Sequence, residues 1–222
     1  AGGSSSSDSP ERDGLASYLW QRRALIGELT LQHLGLCGAG LGLGLLVAIP
    51  LGLWLERGSS QLAEGTIRLI GTSQTIPSLA LLGFLIPFLG VGVVPAVVAL
   101  WLYSIFPILR NTYSGLRDAS PAAVEAATAL GMTPRQVLTR VRLPLAVPTI
   151  MAGVRTAAVI TVGTATLAAF IGAGGLGVPI IAGVQLVDGR QILSGAIPAA
   201  LLALSVDALL GLVERQLRPR SL

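Results

Sequence analysis

The chain has 222 residues, of which 52% are hydrophobic and only 12% charged, and its mean hydropathy is +0.75. Soluble domains carry about 25% charged residues, so too little polar surface is present to cover a globule in water, and composition points to a membrane protein rather than a cytosolic enzyme. The formal charge is +4 and all fifteen basic residues are arginine, an excess that in membrane proteins marks cytoplasmic loops rather than nucleic-acid binding.

Residues 1–14, AGGSSSSDSPERDG, are small and patternless and are expected to form a flexible tail, not a signal peptide. Residues 15–30 mix Tyr18 and Trp20 with Arg22, Arg23 and Glu28, which suits a helix lying at the membrane interface. Between Glu28 and Glu56 there is no acid or arginine, which predicts a first span at about 33–55. It holds the only histidine, His33, and the only cysteine, Cys37, which excludes an internal disulfide and any two-histidine metal site. Gly38, Gly40, Gly42 and Gly44 give two overlapping GxxxG pairs, where backbones approach closely. Packing within the chain is the expectation for this face, with a dimer contact as the alternative.

The uncharged stretch from Arg68 to Arg110 is too long for one helix and predicts two, at about 69–89 and 94–112, with a turn at Gly90–Pro95. Pro77, Pro87 and Pro107 are expected to break or kink these helices and free carbonyls. A fourth span is predicted at about 143–171, interrupted by Arg155, and a fifth at about 192–213, interrupted by Asp207. Gly177–Val187 is apolar but too short to cross and reads as re-entrant or interfacial. Residues 218–222 are expected to form a short cytoplasmic tail.

Five spans with an outside N-terminus place Arg57, Arg68, Arg110, Arg117, Arg135, Arg140, Arg142, Arg215, Arg218 and Arg220 in the cytoplasm, against Arg12, Arg22, Arg23 and Arg190 outside. The positive-inside rule therefore favours N-out, C-in. Arg155 and Asp207 fall within spans, where a charge needs a partner or water. Counting helical rise from Pro144 and from Arg215 puts them at similar depths, about 16 and 12 Å in. Direct pairing is one expectation; separate snorkelling to water is the other.

The stretch from Arg110 to Pro144 is polar and lies between apolar spans. Ser120 suits an N-cap and Pro121 the first helical position. Alanines follow to Leu130, and Gly131 can take the left-handed conformation that ends a helix. Thr133 and Pro134 start a second short helix, expected to end at Leu143-Pro144. Bare alanines let this unit sit in a partner's groove, with Glu125 to orient it. A DNA-reading helix–turn–helix is excluded by tethering to spans on both sides.

Glu125-Ala126-Ala127, then Gly131, then Val141-Arg142-Leu143-Pro144 follow the EAA---G---------I-LP pattern, with Val141 for the usual Ile. On these residues the chain resembles ABC importer permeases. The stretches His33-Leu34, Ile49–Gly52, Gln74–Gly83, Pro107–Thr112 and Gly172–Gly177 resemble the osmoprotectant subfamily, which imports glycine betaine, choline, carnitine or proline. The resemblance covers about residues 30–215. It implies an all-helical, MetI-like type I importer permease in a bacterial or archaeal cytoplasmic membrane. It also implies two ATPase subunits, a second permease subunit, identical or related, and an external substrate-binding protein. The loop 118–142 would be the ATPase contact, with Glu125, Ala126, Ala127, Gly131, Leu143 and Pro144 as its coupling residues. Import of another small solute, such as an amino acid, is the runner-up; a scaffold or a membrane-embedded enzyme lies further off.

Gly172–Gly177 also fits GxGxxG, but no strand precedes it and Asp188 comes too early for a dinucleotide site. It is expected to be a turn. The chain has no lysine and hence no Walker lysine, and no HExxH or GxSxG. No cofactor is expected on this chain; ATP and Mg belong to the partner ATPase. Trp54, Trp101, Tyr103 and Phe106 form no evident aromatic cage.

Overall fold

The computed structural model describes residues 14–217; the tails expected at 1–14 and 218–222 lie outside these residues, Gly14 excepted. The described residues are helical throughout, with no strand. A short α1 (Leu15–Gln21) precedes α2 (Arg23–Glu56). Then come α3 (Ser60–Gly71), α4 (Ser78–Leu89) and α5 (Val93–Arg117). The loop helices α6 (Pro121–Ala129) and α7 (Pro134–Val137) lead into α8 (Leu143–Ala165), and α9 (Gly177–Leu186) and α10 (Gly189–Leu217) close the chain.

Among the described residues four helices are long and apolar enough to cross a membrane, α2, α5, the run Pro134–Ala165 that contains α8, and α10, and the bent pair Ser60–Thr75 with Ser78–Leu89 passes the same test as a fifth. The hub is α5, which packs against both α2 and α8, while α10 packs on α8 and α9. Over half of the most apolar stretch of α5 is buried but only 6% of that of α10, which makes α10 the peripheral helix. Two apolar clusters run along the hub. One joins Leu36, Leu82, Leu100 and Val162. The other, nearer the polar loop, joins Ala48, Leu55, Ile108, Leu109 and Val154.

The structure corrects three boundaries. The interfacial helix expected at 15–30 is not one element: it breaks at Arg22, and residues from Arg23 continue into α2. The physical reason is Leu29, which is buried against Leu176 and Ala199 and so ties this turn to the bundle. The span expected at 69–89 is not one helix either. A 3-10 turn at Thr72–Thr75 and the extended Ile76–Pro77 separate α3 from α4, which diverge by 95°. Pro77 supplies no N–H and pushes Ile76 out of the helical region. The loop's second helix does not end at Leu143-Pro144. It passes through a π-helical turn at Leu138–Arg142 straight into α8. Pro144 has no N–H to give, and the wider π turn ahead of it absorbs the irregularity.

Pro107, by contrast, leaves α5 unbroken. Its missing N–H would strand the Tyr103 carbonyl one turn earlier. Gln74 Nε2 donates to that carbonyl at 3.0 Å, and the Tyr103 hydroxyl donates in return to the carbonyl of Ile76. The break at Pro77 and the proline of α5 are therefore one hydrogen-bonded unit. Of the two GxxxG pairs, one is used within the chain: a Cβ added at Gly40 would lie 2.6 Å from Leu100 Cβ and one at Gly44 3.0 Å from Ser104 Cβ, both on α5. Gly38 and Gly42 meet nothing within 4 Å.

The glycine turn at 172–176 wraps the start of α2. His33 is wholly buried. Its Nε2 lies 3.1 Å from the carbonyl of Val162, and its Nδ1 accepts from the Leu176 N–H at 3.3 Å. Gln32 Oε1 accepts from the Gly175 N–H at 3.2 Å. A side chain at Gly175 would press on His33, with its Cβ 3.0 Å from Nδ1. The motif serves close backbone approach, as a turn.

Candidate functional site: the polar loop and the intramembrane charges

The loop is built by local rules. Ser120 Oγ accepts from the Ala123 N–H at 3.4 Å, and Pro121 occupies the first turn of α6. Gly131 ends that helix with φ 80°, and the Met132 N–H reaches back to the Ala127 carbonyl at 3.1 Å. Thr133 and Gln136 then form a reciprocal capping box at the start of α7. Ala122, Glu125, Ala126 and Ala129 are all exposed, and their spacing puts them on one face of α6. Ala127 is buried on the other. Leu130, at the tip, is 81% exposed, an apolar side chain left in the open. Leu143 and Pro144 sit apart from this face, half-buried in the first turn of α8.

Beneath the loop lies a cleft of ≈ 930 Å³ lined by residues including Val124, Thr128, Met132, Leu138, Glu56 and Arg142. Arg142, in the π turn, forms an ion pair with Glu56, the last residue of α2. The loop, joined by the chain to α5 and α8, is thus also fastened by charge to the end of the membrane-length α2.

Arg155 and Asp207 meet. Arg155 Nε and Nη2 each donate to one oxygen of Asp207 at 2.9 Å, a bidentate pair. Nη1 donates to Glu214 at 3.0 Å. Asp207, Gly211 and Glu214 recur at i, i+4 and i+7 on α10, so they share one face. Gly211 lies between the carboxylates, and a Cβ there would come within 3.3 Å of the guanidinium carbon. No group of three or more histidine, cysteine or acidic side chains capable of holding a metal occurs among the described residues.

Residues 48–219 match the family described as "Binding-protein-dependent transport system inner membrane component". The chain belongs to this family. The permease is 47% identical over 197 residues to the choline transport system permease protein OpuBB of Bacillus subtilis, covering 87% of this chain and 90% of that one. It is 45% identical over 210 residues to the carnitine transport permease protein OpuCB of Listeria monocytogenes, covering 95% and 96%. Its fold is similar to a chain of the MetNI methionine ABC transporter, a structure solved in inward-facing conformations, with a TM-score of 0.77 at 22% identity over 90% of this chain and 99% of that one. The permease is therefore a multi-pass membrane protein of the MetI-like type, all-helical among its described residues, and a transport component.

Three parts of the permease's charged architecture escape sequence reading. Glu214 sits near the end of α10, where an acid looks like a solvated terminus. Gly211 carries no signal except its i+4 spacing from Asp207. Glu56 looks like the last residue of a span, and only the tertiary structure brings it to Arg142, 86 positions away.

Proposed function

We propose that this permease forms the path of an ATP-driven importer for a small osmoprotectant such as glycine betaine, choline, carnitine or proline. It works with two ATPase subunits, a second permease subunit and an external binding protein, and ATP and Mg are bound by the ATPase. The observation that carries the reading is the loop 118–142. It offers an exposed face of bare alanine with one acid, Glu125, and one apolar tip, Leu130. It is rigidly capped at both helices and fastened to α2 through Glu56–Arg142. Such a face is built to enter a groove, and such fastening lets a push on the loop reach the spans. High identity to permeases named for choline and carnitine supports the solute class. The arginine distribution supports an N-out, C-in orientation with the loop in the cytoplasm.

The test is reconstitution of the permease with its ATPase and binding protein in liposomes, followed by ATP-driven uptake of a solute panel. Quaternary amines are expected to be taken up, and Glu125→Lys is expected to abolish uptake while leaving the subunit in the membrane. Uptake only of amino acids other than proline, or full uptake by Glu125→Lys, would overturn the reading.

A further inference from the structure

We propose that Arg155 and Asp207 form a two-sided transit site for a zwitterionic solute: its carboxylate takes the guanidinium edge held by Asp207, and its quaternary ammonium takes the Asp207 carboxylate. The proposal rests on the osmoprotectant reading above.

Reachability is the first argument. Arg155 lies about 16 Å along the helix from Pro144 and Asp207 about 12 Å from Arg215, inside a bilayer core about 30 Å thick, with the guanidinium packed on Gly211, one turn before Arg215. Their side chains are nevertheless 33% and 40% exposed on this chain. Charges at that depth do not face hydrocarbon, so this face of α8 and α10 borders water or another protein chain.

Two clefts meet at the pair, and both include Arg155 and Asp207 among their walls. One, of ≈ 400 Å³, is lined by Ala152, Thr156, Val159 and Ile160 and extends away from the loop. The other, of ≈ 590 Å³, is lined by Gly211, Leu212 and Arg215 and extends along α10 toward its C-terminal end. Both are open grooves rather than enclosed cavities, so a solute seated in either is completed by the water or the chain that borders this face. The ion pair stands between them.

The guanidinium is held unequally. Nη1 is fixed by Glu214, whose side chain is only 12% exposed, while Nε and Nη2 present their fork to the more exposed Asp207. That fork fits any carboxylate. When Asp207 lets go, Glu214 still holds the arginine in place. A zwitterion brings both charges, so exchange turns one ion pair into two and leaves no charge unpaired. A simple cation such as choline engages Asp207 alone and leaves the fork empty.

The experiment uses the reconstituted complex and compares ATP-driven uptake of glycine betaine with that of choline. Arg155→Gln is expected to lower betaine uptake at least about tenfold, the scale of losing one partner of a hydrogen-bonded charge pair, while choline uptake changes far less. Arg155→Lys, which keeps the charge and loses the fork, falls between. A second measurement does not depend on turnover. In a Cys37→Ser background, alkylation of Thr156→Cys is expected to be slowed by betaine, and not once Arg155→Gln is added. Equal loss for both solutes, no loss for either, or no protection by betaine would overturn the site. If the wild-type complex moves neither solute, the osmoprotectant reading falls and this site falls with it. If it moves both and the variants do not discriminate, only the site falls.

Discussion

Gly131 isolates the conformational requirement of the loop. Its φ is 80°, and a Cβ placed there meets nothing within 4 Å. Substitution therefore costs backbone strain and no collision within this chain. A left-handed residue other than glycine costs about 1–2 kcal/mol, and a β-branched one lies at or beyond the upper end. Asparagine tolerates this region best among larger residues. The order expected for correctly turned loop is therefore Gly131, then Asn, then Ala, then Val. At about 1.4 kcal/mol per tenfold, Gly131→Ala reduces the native turn by a factor of roughly five to thirty relative to its alternatives, and Gly131→Val by more. The assay is ATP-driven uptake at equal membrane content, with ATPase co-purification as the readout of loop docking. The comparison of Asn with Ala is decisive, because Asn is the larger. If bulk against a partner governs the site, Asn is worse than Ala; if backbone conformation governs it, Asn is better. Uptake by Gly131→Val equal to wild type, or Asn below Ala, would refute the reasoning.

Three other perturbations test the fold, the charge pair and the topology. Gly153→Ala would put a Cβ 2.6 Å from both Asn111 Cβ and the Pro107 carbonyl oxygen, so detergent-solubilised protein should lose about 1–3 kcal/mol of stability by overpacking, whereas Gly163→Ala, with open space around it, should be neutral or stabilising by up to about 1 kcal/mol. Reversing either charge of the Glu56–Arg142 pair should lower uptake and raise the ATP hydrolysed per solute moved, and the double exchange Glu56→Arg with Arg142→Glu should recover part of both; a double variant no better than the singles would show that the pair does not act as a unit. For topology, cysteines at Ser120 and at Val187, both exposed, should respond oppositely in intact cells of a Cys37→Ser strain: an impermeant thiol reagent should label the Val187 variant and spare the Ser120 variant, and the reverse would invert the orientation.

The local features of this permease were legible residue by residue. Ser120, Pro121, Gly131, Thr133 and Pro134 specify their caps and turn through contacts no more than a few positions away, so sequence order alone defines them. The charge-free runs likewise marked most of the apolar helices, because a charge in hydrocarbon is costly and backbone polar groups there must be paired, although the run after Arg68 holds a break at Ile76–Pro77. Other features depended on partners distant in sequence. Pro77 stands at a helix break while Pro87 and Pro107 lie inside unbroken helices, and at Pro107 the carbonyl left open is satisfied by Gln74, 29 positions before Tyr103. Gly40 and Gly44 are packed while Gly38 and Gly42 are open, a choice made by where α5 lies rather than by the GxxxG spacing they share. Arg155 and Asp207 could be placed at matching depths from helical rise, but the third member, Glu214, was invisible until α10 was turned to face α8. Rise along a helix is a property of sequence, whereas rotation about its axis is set by packing against neighbours, and rotation decides which charges meet.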